Sequence, residues 1–124
     1  MSQENCRAVL DAWTEALKTQ NTQEVLKLYH STAVLVPTLS NVLRQGDAAL
    51  ADYFDMFLAK QPSCTIRSAI YTEIMPDSAG ILSGIYDFEF GKGGSKASAR
   101  YSYVLQSHAD AWYIMSHHSS LLPE

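Results

Sequence analysis

Ala99-Arg100-Tyr101-Ser102-Tyr103-Val104-Leu105, a break at His108-Ala109-Asp110-Ala111, then Trp112-Tyr113-Ile114-Met115-Ser116-His117-His118-Ser119-Ser120 is the stretch that decides the fold. Two runs rich in aromatic and β-branched residues, parted by a short turn, read as an antiparallel pair of strands. In the second run a period of two sends Trp112, Ile114, Ser116 and His118 to one face and Tyr113, Met115, His117 and Ser119 to the other. In the first, Arg100 shares a face with Ser102 and Val104. Large side chains fall on both faces, whereas a sheet with one solvated face would show a polar set. Both faces are therefore expected to be covered.

Working outward, Thr65 to Met75 and Ile81 to Phe90 read as two further strands, joined through Pro76–Gly80 and, onward, Gly91–Ser95. Consecutive strands with short joints pair antiparallel. The first sixty residues read differently. Cys6, Val9, Leu10, Trp13, Ala16 and Leu17 recur at helical spacing up to about Lys18. Asn21 is placed to cap a second, shorter helix, with Glu24 at the acid position of a capping box and Val25, Leu26, Leu28 and Tyr29 as its stripe. Ala33 to Val36, ended by Pro37, and Val42 to Gln45 read as a short hairpin. Asp47 is expected to cap a third helix carrying Leu50, Tyr53, Phe54, Phe57 and Leu58, which Pro62 stops. Helices grouped ahead of an antiparallel meander give an α+β fold with three N-terminal helices packed on one face of the sheet.

At 124 residues the chain is expected to form one domain, 1–124, burying roughly two-thirds of its unfolded surface. A net charge of −4 with scattered Lys and Arg argues against nucleic acid as a partner. No apolar run approaches the ~20 residues of a membrane helix, and Met1-Ser-Gln-Glu-Asn5 is unlike a signal peptide. Cys6 and Cys64 read as buried thiols, and the chain reads as cytoplasmic.

Few residues suggest chemistry. His117 and His118 point to opposite faces of a strand and cannot share one ion, so no metal is expected. Asp87 and Glu89 share a face about 7 Å apart, yet alternate with Tyr86, Phe88 and Phe90 as a half-wet strand would. No nucleophile elbow, phosphate loop or cofactor motif is present, so no catalytic residue and no cofactor is assigned. Arg100 stands in a strand of little charge, and a guanidinium turned into a concave sheet must find an acceptor: a local acid such as Glu73 or Asp87, or an anionic ligand. His118 could line the same cavity, with Arg67 as a weaker third candidate.

The quoted stretch, together with Leu28-Tyr29-His30 to Arg44-Gln45-Gly46 and Gly84-Ile85-Tyr86-Asp87-Phe88-Glu89-Phe90, resembles small bacterial proteins of the nuclear transport factor 2-like superfamily, of the SgcJ/EcaC type. These are similar to the association (hub) domain of calcium/calmodulin-dependent protein kinase II. The resemblance implies a cone-shaped, cystatin-like barrel with a curved, mostly antiparallel sheet, and a homo-oligomer, a dimer or a larger ring. It implies no phosphotransfer, since no kinase motif is present. Arg100 and His118 match family positions.

Two functions follow as expectations. One is a non-catalytic oligomerisation and small-ligand-binding module. Its pocket would be walled by Arg100 and His118, with Trp13, Tyr53 and Tyr86 as aromatic lining, and would suit a small carboxylate or similar anion. The other is a small-molecule isomerase, cyclase or dehydratase resembling SnoaL-like proteins, with His118 or Asp87 as base. Self-association is expected through Tyr101, Tyr103, Leu105, Tyr113 and Met115, which the helices would leave exposed.

Overall fold

The computed structural model describes residues 2–38 and 40–123. Helix α1 (Ser2–Lys18) buries Cys6, Val9, Leu10, Trp13, Ala16 and Leu17, the stripe that its 3.6-residue period predicts. Helix α2 (Thr22–Leu26) is shorter than expected. Its Asn21 cap is as read, the side chain accepting from the Gln23 amide at 3.0 Å. Glu24 closes no capping box and instead pairs with Lys27 at 2.7 Å. Leu28 and Tyr29 lie outside the helix, because strand β1 (Tyr29–Val36) already begins there. Strand β2 is only Arg44–Gln45, so Val42 and Leu43 stand exposed in the connection before it.

Helix α3 (Asp47–Leu58) is capped by Gly46, not Asp47. Gly46 adopts φ +88°, a left-handed conformation open to glycine, and no side chain caps this helix. Strands β3 (Pro62–Met75), β4 (Ala79–Phe90), β5 (Lys96–His108) and β6 (Ala111–Leu121) complete the chain. One six-stranded sheet runs β2-β1-β6-β5-β4-β3. All neighbours are antiparallel except β1 and β6, which run parallel. The sheet is curved and does not close.

The helices lie on one sheet face. Toward them point Leu82, Tyr86 and Phe88 from β4, Ala99, Tyr101, Tyr103 and Leu105 from β5, and Ile114, His117 and Ser119 from β6, all buried. This overturns the expected oligomer surface: Tyr101, Tyr103 and Leu105 are core, packed around Trp13 and Tyr86. The row with more apolar area faces the helices, as the hydrophobic effect requires. The strand alternation itself slips within β6. Between Val104 and Leu105 the β5–β6 register shifts, with Leu105 opposite Ile114 and Val104 opposite Ser116, leaving Met115 as the extra residue. Such a bulge changes which side chains share a face. It sends His117 inward and His118 outward.

Candidate functional site

A cavity of about 1010 Å³ lies between helix α3 and the inner sheet face. Helix α3 contributes Tyr53, Phe54, Met56 and Phe57, the sheet Tyr86, Phe88, Phe90, Ala97 and Ala99, and α1 contributes Trp13. The aromatic rings pack edge to face or stacked, Trp13 on Tyr86 at 5.8 Å and Phe57 on Phe88 at 5.6 Å, which fixes the wall. Lys60, Lys92 and Lys96 also line it, and none makes a salt bridge among the described residues. Arg44 lines it too, its Nη1 held by Asp52 at 2.5 Å. Among the described residues no Asp or Glu belongs to the lining.

Part of the polar wall belongs to one hydrogen-bonded chain, which passes behind it through Tyr29. Trp13 Nε1 donates to Tyr29 Oη at 3.0 Å, and Tyr29 Oη meets His117 Nδ1 at 2.8 Å. His117 Nε2 meets Tyr86 Oη at 3.1 Å, Tyr86 donates to Ser119 Oγ at 2.6 Å, and Thr38 donates to Ser119 at 2.6 Å. Burial, reinforced by neighbouring His118, pushes the His117 pKa down to about 3, so the ring is neutral at pH 7. Burial likewise raises the Tyr29 and Tyr103 phenols well above their ordinary value, and Tyr53 to about 12.

Of the residues expected to wall a pocket, Trp13, Tyr53 and Tyr86 line this cavity. Arg100 and His118 do not. Both are exposed on the outer sheet face, where Ser102 stands opposite His118 and Arg100 opposite Ser120. Arg67 is exposed there as well, donating to Asp87 at 2.6 and 3.1 Å and to Ser98 at 3.1 Å. That pairing, joined by Ser98, holds the Asp87 carboxyl below the usual range. The expected acid partner Asp87 thus serves Arg67, and neither it nor His118 reaches the cavity as a base. His117, Ser119 and the three lysines were not anticipated. The bulge hid the first two, the turn sequence Gly91-Lys92-Gly93-Gly94-Ser95-Lys96 gave Lys92 and Lys96 a plain hairpin reading, and Lys60 stood just past a helix end with nothing to single it out.

Burial pushes the Cys6 thiol up to about 11 and Cys64 to about 12, and the two cysteines are unpaired. Among the described residues no group of three or more His, Cys, Asp or Glu could hold a metal, and no helix is long and apolar enough to cross a membrane.

The family model described as calcium/calmodulin dependent protein kinase II association domain matches residues 2–123. The chain belongs to this family. A Xanthomonas campestris structure assigned to the same association domain is 34% identical, with a TM-score of 0.90 over 96% of this chain and 86% of that one. The association-domain fold extends to more distant structures. A Caulobacter vibrioides protein with a cystatin-like fold is 12% identical, TM-score 0.84, over 98% of this chain and 89% of its own. A ketosteroid isomerase-like protein from Erwinia carotovora is 14% identical, TM-score 0.77, over 98% and 96%. No curated protein matches the chain. As an association-domain chain it has the nuclear transport factor 2-like, cystatin-like architecture expected of it, as an open curved sheet.

Proposed function

We propose that this chain is a single-domain, non-catalytic module, working in the cytoplasm, that assembles with copies of itself and holds a small anionic ligand. The observation that carries the ligand half is the cavity: an aromatic wall and, among the described residues, three lysines without salt-bridge partners and no carboxylate. Arg100 gives the anion no support, since it faces away, and the lysines take its place in the argument. A cationic approach to an apolar chamber favours a molecule with an apolar body and a negative head. Assembly draws its support from the association-domain family and from the outer sheet face, where Ile70, Ile81, Ile85 and Val104 alternate with serines.

The second reading, a SnoaL-like isomerase or dehydratase, has one supporting observation, the histidine in the cavity wall. An efficient base has a pKa near the working pH. His117 is pushed to about 3 and both its ring nitrogens are engaged by tyrosines. The binding reading is therefore preferred. Thermal-shift screening of a library of small carboxylates, ketones and amines tests it. Stabilisation by acids, with every hit recovered unchanged after incubation, is the expected result. Turnover of a hit that stops in a His117→Gln variant would favour the enzyme.

A further inference from the structure

The hydrogen-bonded chain in the cavity wall has a direction, and the direction specifies what a ligand must present. An indole nitrogen can only donate, so Trp13 Nε1–H fixes Tyr29 Oη as an acceptor. Tyr29 is fully surrounded by protein, and the partner available for its own hydrogen is His117 Nδ1 at 2.8 Å. Burying that hydrogen unpaired would be costly. Nδ1 is thus the acceptor, and the neutral ring carries its hydrogen on Nε2. Nε2–H donates to Tyr86 Oη, and Tyr86 passes its hydrogen to Ser119 Oγ. Ser119 also accepts from Thr38. The Thr38–Ser119 contact uses one of the two hydroxyl hydrogens, so the pair keeps the other with no further acceptor among the described residues, and with Thr38 donating it is Ser119's. Ser119 is 8% exposed and lines the cavity. A run of aligned bonds polarises its last member and strengthens it as a donor.

We infer that the Ser119 hydroxyl is a dedicated hydrogen-bond donor to the ligand, and that the cavity selects aryl or alkyl molecules whose head offers only acceptor oxygens, a carboxylate above all. This rests on the ligand-binding reading above and adds the atom and the polarity. An ammonium head would meet a donor and find no carboxylate among the described residues of the wall; a carboxylate satisfies Ser119 and is attracted by Lys60, Lys92 and Lys96.

Calorimetric titration of the full chain with three isosteric probes tests the inference: 2-naphthoate, 2-acetonaphthone and 2-naphthylmethylammonium. The expected order is naphthoate tightest, the ketone about tenfold or more weaker, and the ammonium not detectably bound. Ser119→Ala should weaken naphthoate and ketone about tenfold each, and by more than Thr38→Val, which removes only a bond to Ser119. Folding of both variants is checked by circular dichroism, and the wild-type order stands as a test even if Ser119→Ala does not fold. Ammonium binding as tight as naphthoate overturns the inference while leaving a ligand module. A loss confined to Thr38→Val places the free hydrogen on Thr38 and overturns the assignment to Ser119. No binding of any probe at millimolar concentration, with no hit in the thermal-shift screen, sinks the ligand-binding reading itself.

Discussion

His117 touches two tyrosines through its nitrogens and stacks on a third, Tyr103, at 4.0 Å between ring centres. Its titration is measurable as stability. The unfolded imidazole takes up a proton near pH 6.5, whereas the folded one holds out to about 3. Above pH 6.5 both states are neutral and the group adds no pH dependence. Between 6.5 and 3 only the unfolded chain binds the proton, so stability falls as pH falls, by up to about 1.4 kcal/mol per unit. Urea unfolding at pH 7, 6, 5 and 4 should show this slope, and His117→Gln should remove much of it. Identical slopes in both proteins would mean that His117 is not the titrating group. At this scale the sequence was partly legible. Trp13 and Tyr53 were readable because large aromatics on a helix stripe face the core. Arg100 was misplaced because its lone charge suggested an enclosed partner, although the Tyr101-Tyr103-Leu105 row opposite had the greater apolar area to bury.

Strand and helix identities followed from periodicity, but the irregularities inside strands did not. The bulge at Met115 exchanges His117 for His118 as the inward histidine, and no side chain in Ile114-Met115-Ser116 announces it. A second shift lies in β3 between Ile66 and Ser68, leaving Arg67 as the extra residue. There the chain crosses β4 closely: a Cβ on Gly84 would lie 2.0 Å from the Ser68 carbonyl oxygen, which itself accepts from Tyr101 Oη at 2.7 Å. The neighbour is backbone within a ladder and cannot swing aside. Gly84→Ala should therefore destabilise the protein by about 3 kcal/mol or more, at the upper end of overpacking costs. A urea midpoint shift worth under about 1 kcal/mol would show that the strand relaxes freely. The Arg67–Asp87 pair nearby is exposed on both sides, and Arg67→Met should alter the midpoint little.

The whole molecule buries one sheet face under its helices and leaves the other to solvent or to a second copy. On that outer face Val104 stands opposite Ile81 and Ser116, Ile85 opposite Arg100, and Ile70 opposite Ser83. Sequence pattern alone indicated that both faces were apolar enough to be covered. It assigned the wrong row to the outside, so Tyr103→Asp would now break the core rather than separate subunits. The informative change is Val104→Asp, outward and half-buried in the isolated chain. In an isologous dimer each substitution acts twice across the axis, placing two like charges without partners in a desolvated interface. The expected outcome is a light-scattering mass reduced to that of one chain, with dichroism and unfolding midpoint close to those of the parent extrapolated to low concentration. Stable dimers bury on the order of 1,200–2,000 Å², so one such charge on an extended face should raise the dissociation constant at least tenfold. A parent that is already monomeric at micromolar concentration removes the assembly half of the proposed function. A variant that remains oligomeric moves the interface elsewhere, with the exposed Val42–Leu43 connection and the Ile74–Met75 strand end as the surfaces to substitute next.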